Sequence, residues 1–257
     1  VSALPLVTLP ATLPEGDLTG RVVMVTGATG GLGSAVARTC VRAGATVILA
    51  GRRVRFLEKL YDELKGIGVG EPLIVPVDLE SATPTDFEAI ADGIGNEFGR
   101  LDGLVHAAAH FGGLTPLSQH KPDDFLRAQQ VNVAAPFALT QACLPWLAKS
   151  ADSAVVFVLD DAELTSRAHW GGYGVSKAGL ERLAAILHQE HDKGAMRVHA
   201  VLPAPMRTAL RREAYFGEDT LKHPTPEGTA LAIVALLSAA GGFARGAALD
   251  LRSSTRA

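Results

Sequence analysis

Short runs in which nearly every position is apolar alternate, along this chain, with longer stretches whose apolar residues recur every three or four positions. The runs are RVVMVT (21–26), TVILAG (46–51), PLIVPV (72–77), LDGLVHA (101–107), SAVVFVL (153–159), AMRVHAVL (195–202) and a weaker GAALDL (246–251). All but the last are too apolar to leave one face in water, which predicts strands covered on both sides. Helix-period segments fall near 32–43, 53–66, 84–98, 121–149, 171–192 and 226–239. Strand and helix alternating at this spacing require parallel pairing through right-handed crossovers, so the expected class is α/β, a doubly wound parallel sheet of about seven strands with helices on both faces. Residues 1–17 read as an extended N-terminal arm and 18–257 as a single domain. Ligands of such a sheet bind beyond the carboxyl ends of its strands, so chemistry is sought just after each apolar run.

After the first run comes Thr26-Gly27-Ala28-Thr29-Gly30-Gly31-Leu32-Gly33, followed by a helical segment. Strand, glycine turn and helix N-terminus together make a phosphate site. Gly27 permits the tight turn, Gly31 lets backbone approach a pyrophosphate, and Gly33 lets the helix pack close to the strand, while free N–H groups and the helix dipole favour the anion. Thr29, Gly30 and Leu32 complete the turn. After the second run, where an NAD site places a carboxylate for the ribose hydroxyls, stand Arg52 and Arg53. Two guanidiniums suit a 2′-phosphate, which puts NADP ahead of NAD; the other reading is that both open a solvated helix. Asp78-Leu79 follows the third run, either to accept a bond from an adenine amino group or as a turn cap.

Tyr173 and Lys177 lie four residues apart on a helical segment and so project from one face. A phenol with a pKa near 10 is a poor acid–base at neutral pH, and a neighbouring ammonium favours its ionised form. After the fifth run of a nucleotide-binding sheet, the pair is a candidate for proton transfer at a substrate oxygen.

Composition narrows the remaining classes. The chain has 257 residues, 47% apolar and 20% charged, enough for a large core, and its formal net charge of −3 without basic blocks offers no footprint for nucleic acid. No apolar run approaches the length of a membrane span and the N-terminal stretch lacks a basic signal region, so a cytoplasmic protein away from the membrane is expected. Cys40 and Cys143 read as buried free thiols. Asp160, Asp161, Glu163 and His169 lack ligand spacing and read as a polar loop, so no metal is expected.

From about Leu18 onward the chain resembles the short-chain dehydrogenase/reductase superfamily, through TGATGGLG (26–33), Asp78-Leu79, Asn132 in QVNVAAPF and YGVSK (173–177) in that family's order and spacing. The resemblance implies a Rossmann fold, hydride transfer between NAD(P)(H) and a small-molecule carbonyl or alcohol, and a homodimer or homotetramer built through the helices near 121–149 and 171–192. Carried over by position, Tyr173 resembles the acid–base, Lys177 the residue that lowers its pKa and binds the nicotinamide ribose, and Asn132 the holder of a relay water. Thr208 resembles the residue that meets the carboxamide or phosphates, and Ala107 lies beside the cofactor.

Three positions depart from that pattern. Thirteen residues before the tyrosine, the family's serine is replaced by Asp160. An ionised carboxylate cannot donate to a substrate oxygen, so Asp160 either stays protonated and is recruited or handicaps turnover. His106-Ala107-Ala108-Ala109 replaces Asn-Asn-Ala-Gly, and Pro203-Ala204-Pro205 replaces a Pro-Gly pair. These changes cluster at the nicotinamide end and carry the alternative expectation, a dinucleotide-binding homologue with impaired catalysis. His106 and His110 read as structural. The segment 207–223, with Arg211, Arg212, Tyr215 and Phe216, falls where the family has a mobile lid and suggests an anionic or aromatic substrate, or else a solvated amphipathic helix.

Overall fold

Alternation within each strand divides the apolar residues between two cores. In β2 (Val22–Thr26), Val23 and Val25 point to one face of the sheet, and Val22 and Met24 to the other. β6 (Ala154–Val158) does the same, with Ala154, Val156 and Val158 on the first face and Val155 and Phe157 on the second. Both faces are therefore dry, as the near-continuous apolar runs require. The computed structural model describes residues 3–10, 16–67 and 70–252.

The other strands are β3 (Thr46–Gly51), β4 (Leu73–Pro76), β5 (Gly103–His106), β7 (Arg197–Leu202) and β8 (Ala248–Asp250). One face is covered by α1 (Gly31–Arg42), α2 (Val54–Lys65) and α9 (Glu227–Leu237). The other is covered by α3 (Pro84–Phe98), α5 (Ala135–Leu147) and α7 (Gly171–His191). Local chemistry sets the helix ends. At α3 the Thr83 hydroxyl accepts from the Asp86 N–H and the Asp86 carboxylate accepts from the Thr83 N–H, Pro84 opens the helix, and Gly99 at φ 71° closes it.

The leader corrects the expected strand count. Leu6–Thr8 forms β1, which pairs in parallel with β8 and brings the sheet to eight strands rather than about seven, in the order β1-β8-β7-β6-β5-β2-β3-β4. Expected as a separate arm, these residues find their hydrogen bonds along the free edge of β8. From β2 the chain steps outward to β3 and β4 and then returns to β5 on the other side, so the order reverses between β2 and β5. The crevice beyond their carboxyl ends is where this topology places a ligand.

The helical segment near 121–149 is continuous but not uniform. It runs as α4 (Pro122–Gln129), a π-helical turn (Gln130–Ala134) and α5. Pro136 has no N–H to offer the carbonyl four residues earlier, at Asn132, and the helix widens there. Among the described residues no helix is long and apolar enough to cross a membrane.

Two buried histidines make the fold acid-sensitive. His106 at the end of β5 stacks on Phe157 with ring centroids 5.0 Å apart, and its Nε2 bonds the Thr140 hydroxyl at 2.8 Å, tying β5 to α5 rather than to a neighbouring strand. Burial pulls its pKa down to about 3, and that of His199 on β7 down to about 4. The unfolded chain thus binds more protons between the ordinary histidine value of 6.5 and those folded values, and stability is lost as pH falls through that window. The expected outcome is a Tm that drops steadily below about pH 6.5, with a shallower slope in His106→Asn, as measured by calorimetry.

Candidate active site

The chain leaves β2 through Gly27, whose φ of 64° belongs to the left-handed region and where a Cβ would stand 2.7 Å from the Ala108 Cα. A Cβ at Gly33 would run into the Gly27 carbonyl, 2.8 Å from its carbon, so only hydrogen lets α1 start this close to the strand. A Cβ on Gly31 would meet the Thr208 Cγ2 at 3.1 Å. Thr208 in turn caps α8 (Ala209–Ala214) by accepting the Arg211 N–H. Gly30 is the residue before α1, and Thr29 and Leu32 line the same crevice.

Arg53 reaches back over this turn. Its Nη2 donates to the Thr29 carbonyl at 2.8 Å and its guanidinium lies 4.7 Å from the Phe56 ring centroid. Arg52 beside it is exposed at the rim. Asp78 accepts the Glu80 N–H at 3.1 Å, the turn-capping bond expected as its alternative role, and still lines the crevice with Leu79 and Ala107.

At the reaction end the structure brings Asp160, Tyr173 and Lys177 together. The Tyr173 phenol, 3% exposed, donates to Asp160 Oδ2 at 2.6 Å, and Asp160 Oδ1 accepts the Asp161 N–H at 2.7 Å. Lys177 Nζ donates to the Val158 carbonyl at 2.8 Å. Burial, then the charge and hydrogen bond of Asp160, hold Tyr173 well above 10, while burial pulls Lys177 down to about 8 against the opposing pull of Asp160. Asn132, 1% exposed, spends its side-chain amide on the His110 carbonyl and the Ser176 hydroxyl and accepts the His110 N–H at 2.7 Å.

These groups line one cavity of about 660 Å³ that extends from Arg52 and Arg53 past the glycine turn to Tyr173 and the segment after Thr208. Ala109, Ala204 and Pro205, which stand where the family pattern has Gly, Gly and another residue, line it as well. Its dimensions, the hydrogen-only approach at Gly27 and Gly33 and the free N-terminus of α1 fit a dinucleotide.

The sequence profile of the short chain dehydrogenases matches residues 21–218. The chain belongs to the short chain dehydrogenase family. It is 36% identical, over 83% of its own length and 84% of the relative's, to the oxidoreductase YciK of Escherichia coli K12. A short chain dehydrogenase from Pseudomonas syringae superposes with a TM-score of 0.89 at 38% identity, covering 95% of this chain and 99% of that one. Another, from Escherichia coli CFT073 and solved in complex with NADPH, gives a TM-score of 0.88 at 34% identity over 92% of this chain and 99% of that one.

Aromatic rings surround the tyrosine. The rings of Phe111 and Trp170 lie 5.3 and 5.8 Å from that of Tyr173, and Trp170 also meets Tyr215 at 5.8 Å. Phe111 and Trp170 were not singled out from sequence; the cue available was that both lie close to positions that were, after β5 and three residues before Tyr173. Of the two arginines suggested as anion receptors, Arg211 is already paired and Arg212 is exposed. Arg211 grips Glu218 through Nε and Nη2 at 2.6 and 2.8 Å and stacks 3.7 Å over Tyr215, and Arg252 bonds Asp161 and Asp250. Among the described residues no group of three or more His, Cys, Asp or Glu side chains is placed to hold a metal.

Proposed function

We propose that this short chain dehydrogenase reduces a carbonyl compound to an alcohol with NADPH, Tyr173 donating the proton. The observation that carries the proposal is the Tyr173 phenol, kept in its protonated form by burial and by Asp160 within the cavity that begins at the glycine turn. Gly27, Gly31, Gly33 and the N-terminus of α1 would hold the pyrophosphate. Arg52 and Arg53 would take the 2′-phosphate, Asp78 and Leu79 would flank the adenine, and Lys177, Ala107 and Thr208 would flank the nicotinamide half. When bound, the dinucleotide supplies a hydride to the carbonyl carbon. Tyr173 gives its proton to the carbonyl oxygen, and the Lys177 ammonium offsets the charge left on the phenol. With Arg211 paired to Glu218, the aromatic walls favour a ring-bearing substrate. Association into a homodimer or homotetramer through α5 and α7, whose Phe137, Val175 and Ile186 are exposed, belongs to the same proposal.

One observation favours a second reading. The hydrogen bond that a substrate oxygen would receive from Tyr173 is taken by Asp160, as in a protein that binds the dinucleotide without efficient turnover. A panel of aromatic and aliphatic carbonyls with NADPH, followed by absorbance, separates the two. Oxidation of NADPH with at least one ketone or aldehyde supports the reductase; tight NADPH binding with no oxidation across the panel supports the second reading. The cofactor preference has its own test. Replacing Arg52 and Arg53 with Ala removes charge-assisted bonds and is expected to raise the KM for NADPH roughly 10- to 100-fold without changing that for NADH. Equal effects on both cofactors would defeat the assignment of the arginines.

A further inference from the structure

We propose that Asp160 is a catalytic residue that returns the proton to Tyr173 after each turnover, taking it from a second cavity that meets the active site at Asp160 and Lys177. The inference rests on the reductase reading above.

Once Tyr173 has given up its proton, the phenolate stands beside Asp160, with oxygens 2.6 Å apart in the resting pair. Two like charges at that distance cannot both stay ionised, so the pair takes up one proton. The question is which atom receives it. The phenol is almost wholly buried, and Lys177, 5% exposed, is held to the Val158 carbonyl. Asn132 has both amide hydrogens and its oxygen engaged with His110 and Ser176. Asp160 is the half-buried member of the group.

Asp160 also faces two ways. Besides the dinucleotide cavity it lines a second one, of about 850 Å³, whose wall includes Leu6 of β1, Glu163 of α6 (Ala162–Thr165), and Val175 and Glu181 of α7. Leu159, Asp160, Asp161, Lys177 and Arg252 line both. The second cavity is half open and carries carboxylates near its junction with the first, so water can bring a proton to Asp160 without crossing the space that substrate occupies. The groups that face Asp160 are Tyr173 and Lys177 from α7, Asp161 beside it, Arg211 and Tyr215 from the lid and Arg252 after β8.

The step balances without an added redox partner. The Asp160 carboxylate first takes a proton from hydronium, or from water with release of hydroxide, in the second cavity. The O–H bond of the carboxylic acid so formed then breaks as that of Tyr173 forms, which moves the negative charge from phenolate to carboxylate and restores the resting pair.

The test uses the full chain with NADPH and the best carbonyl of the panel. Asp160→Ala is expected to lower kcat by at least about tenfold, leave the KM for NADPH unchanged, and recover when formate or acetate is added, because a small carboxylic acid can carry the proton in place of the missing side chain. Asp160→Asn keeps the shape and an acceptor oxygen but cannot carry the proton, so it is expected to lose activity with an unaltered melting curve. In the cofactor-free protein, tyrosinate absorbance is expected to show Tyr173 titrating at lower pH in Asp160→Asn than in the wild type. Wild-type kcat in either variant, a gain in kcat in Asp160→Ser, absence of rescue, or an unmoved titration would each overturn the assignment. A wild type that binds NADPH yet reduces no carbonyl overturns the reductase reading instead, whereas active enzyme indifferent to Asp160 overturns this inference alone.

Discussion

Tyr173→Phe is expected to lower kcat roughly 10²- to 10⁴-fold, the usual weight of a positioned general acid, while NADPH binds as tightly as before. The substitution removes one oxygen and keeps the ring, so the edge contacts with Phe111 and the packing against Trp170 persist and the melting temperature should hardly move. What is lost is the proton donor, along with the partner of Asp160 Oδ2. The pH dependence of the wild type sharpens the prediction. Tyr173 is held protonated well above 10, so its own ionisation does not limit reduction in the neutral range. Lys177 is pulled down to about 8 by burial, and its charge is lost as pH rises through that value. Because that charge offsets the developing phenolate, kcat for reduction should fall above about pH 8. Steady-state rates of NADPH oxidation across pH check both parts, and a Tyr173→Phe variant with wild-type kcat would end the assignment of the acid.

The parts of this arrangement legible in the sequence are those that depend on neighbours along the chain. β2, β3, β5, β6 and β7 are buried on both faces, so their composition alone marks them. Tyr173 and Lys177 stand one helical turn apart, and a periodic pattern places them on one face. β1 escaped because three residues between prolines carry no periodic signal; it exists because β8 leaves an edge to pair with. The π turn at Asn132 escaped because it preserves the helical spacing of apolar residues on either side. Asp160 was visible as a departure from the family pattern. Its bond to the phenol was not, since that depends on how the end of β6 and the start of α7 meet. The aromatic walls were hidden for the same reason, because Phe111, Trp170 and Tyr215 come from three separate loops that converge only in the fold.

Gly33→Ala and Gly93→Ala are chemically identical changes that should act in opposite directions. At Gly33 the new methyl would run into the Gly27 carbonyl and stand 3.2 Å from the Ala28 Cα, and both are backbone that cannot rotate away. Relief requires α1 to move off the end of β2, and overpacking of this kind costs about 1–3 kcal/mol. In a chain of this size each kcal/mol lowers Tm by roughly 2–4 °C. The larger effect falls on the site. The N–H groups at the start of α1 are the ones aimed at the pyrophosphate, and displacing them by an ångström or so is expected to weaken NADPH binding by roughly 10²-fold. Gly93 lies on the exposed face of α3, where an added methyl meets nothing within 4 Å. There alanine only narrows the unfolded ensemble and improves helix propensity, so Tm should rise by an amount worth up to about 1 kcal/mol with NADPH binding unchanged. Calorimetry and NADPH titration of the two variants read both signs. Tight NADPH binding by Gly33→Ala would show that the close approach of α1 to β2 is not what builds the phosphate site.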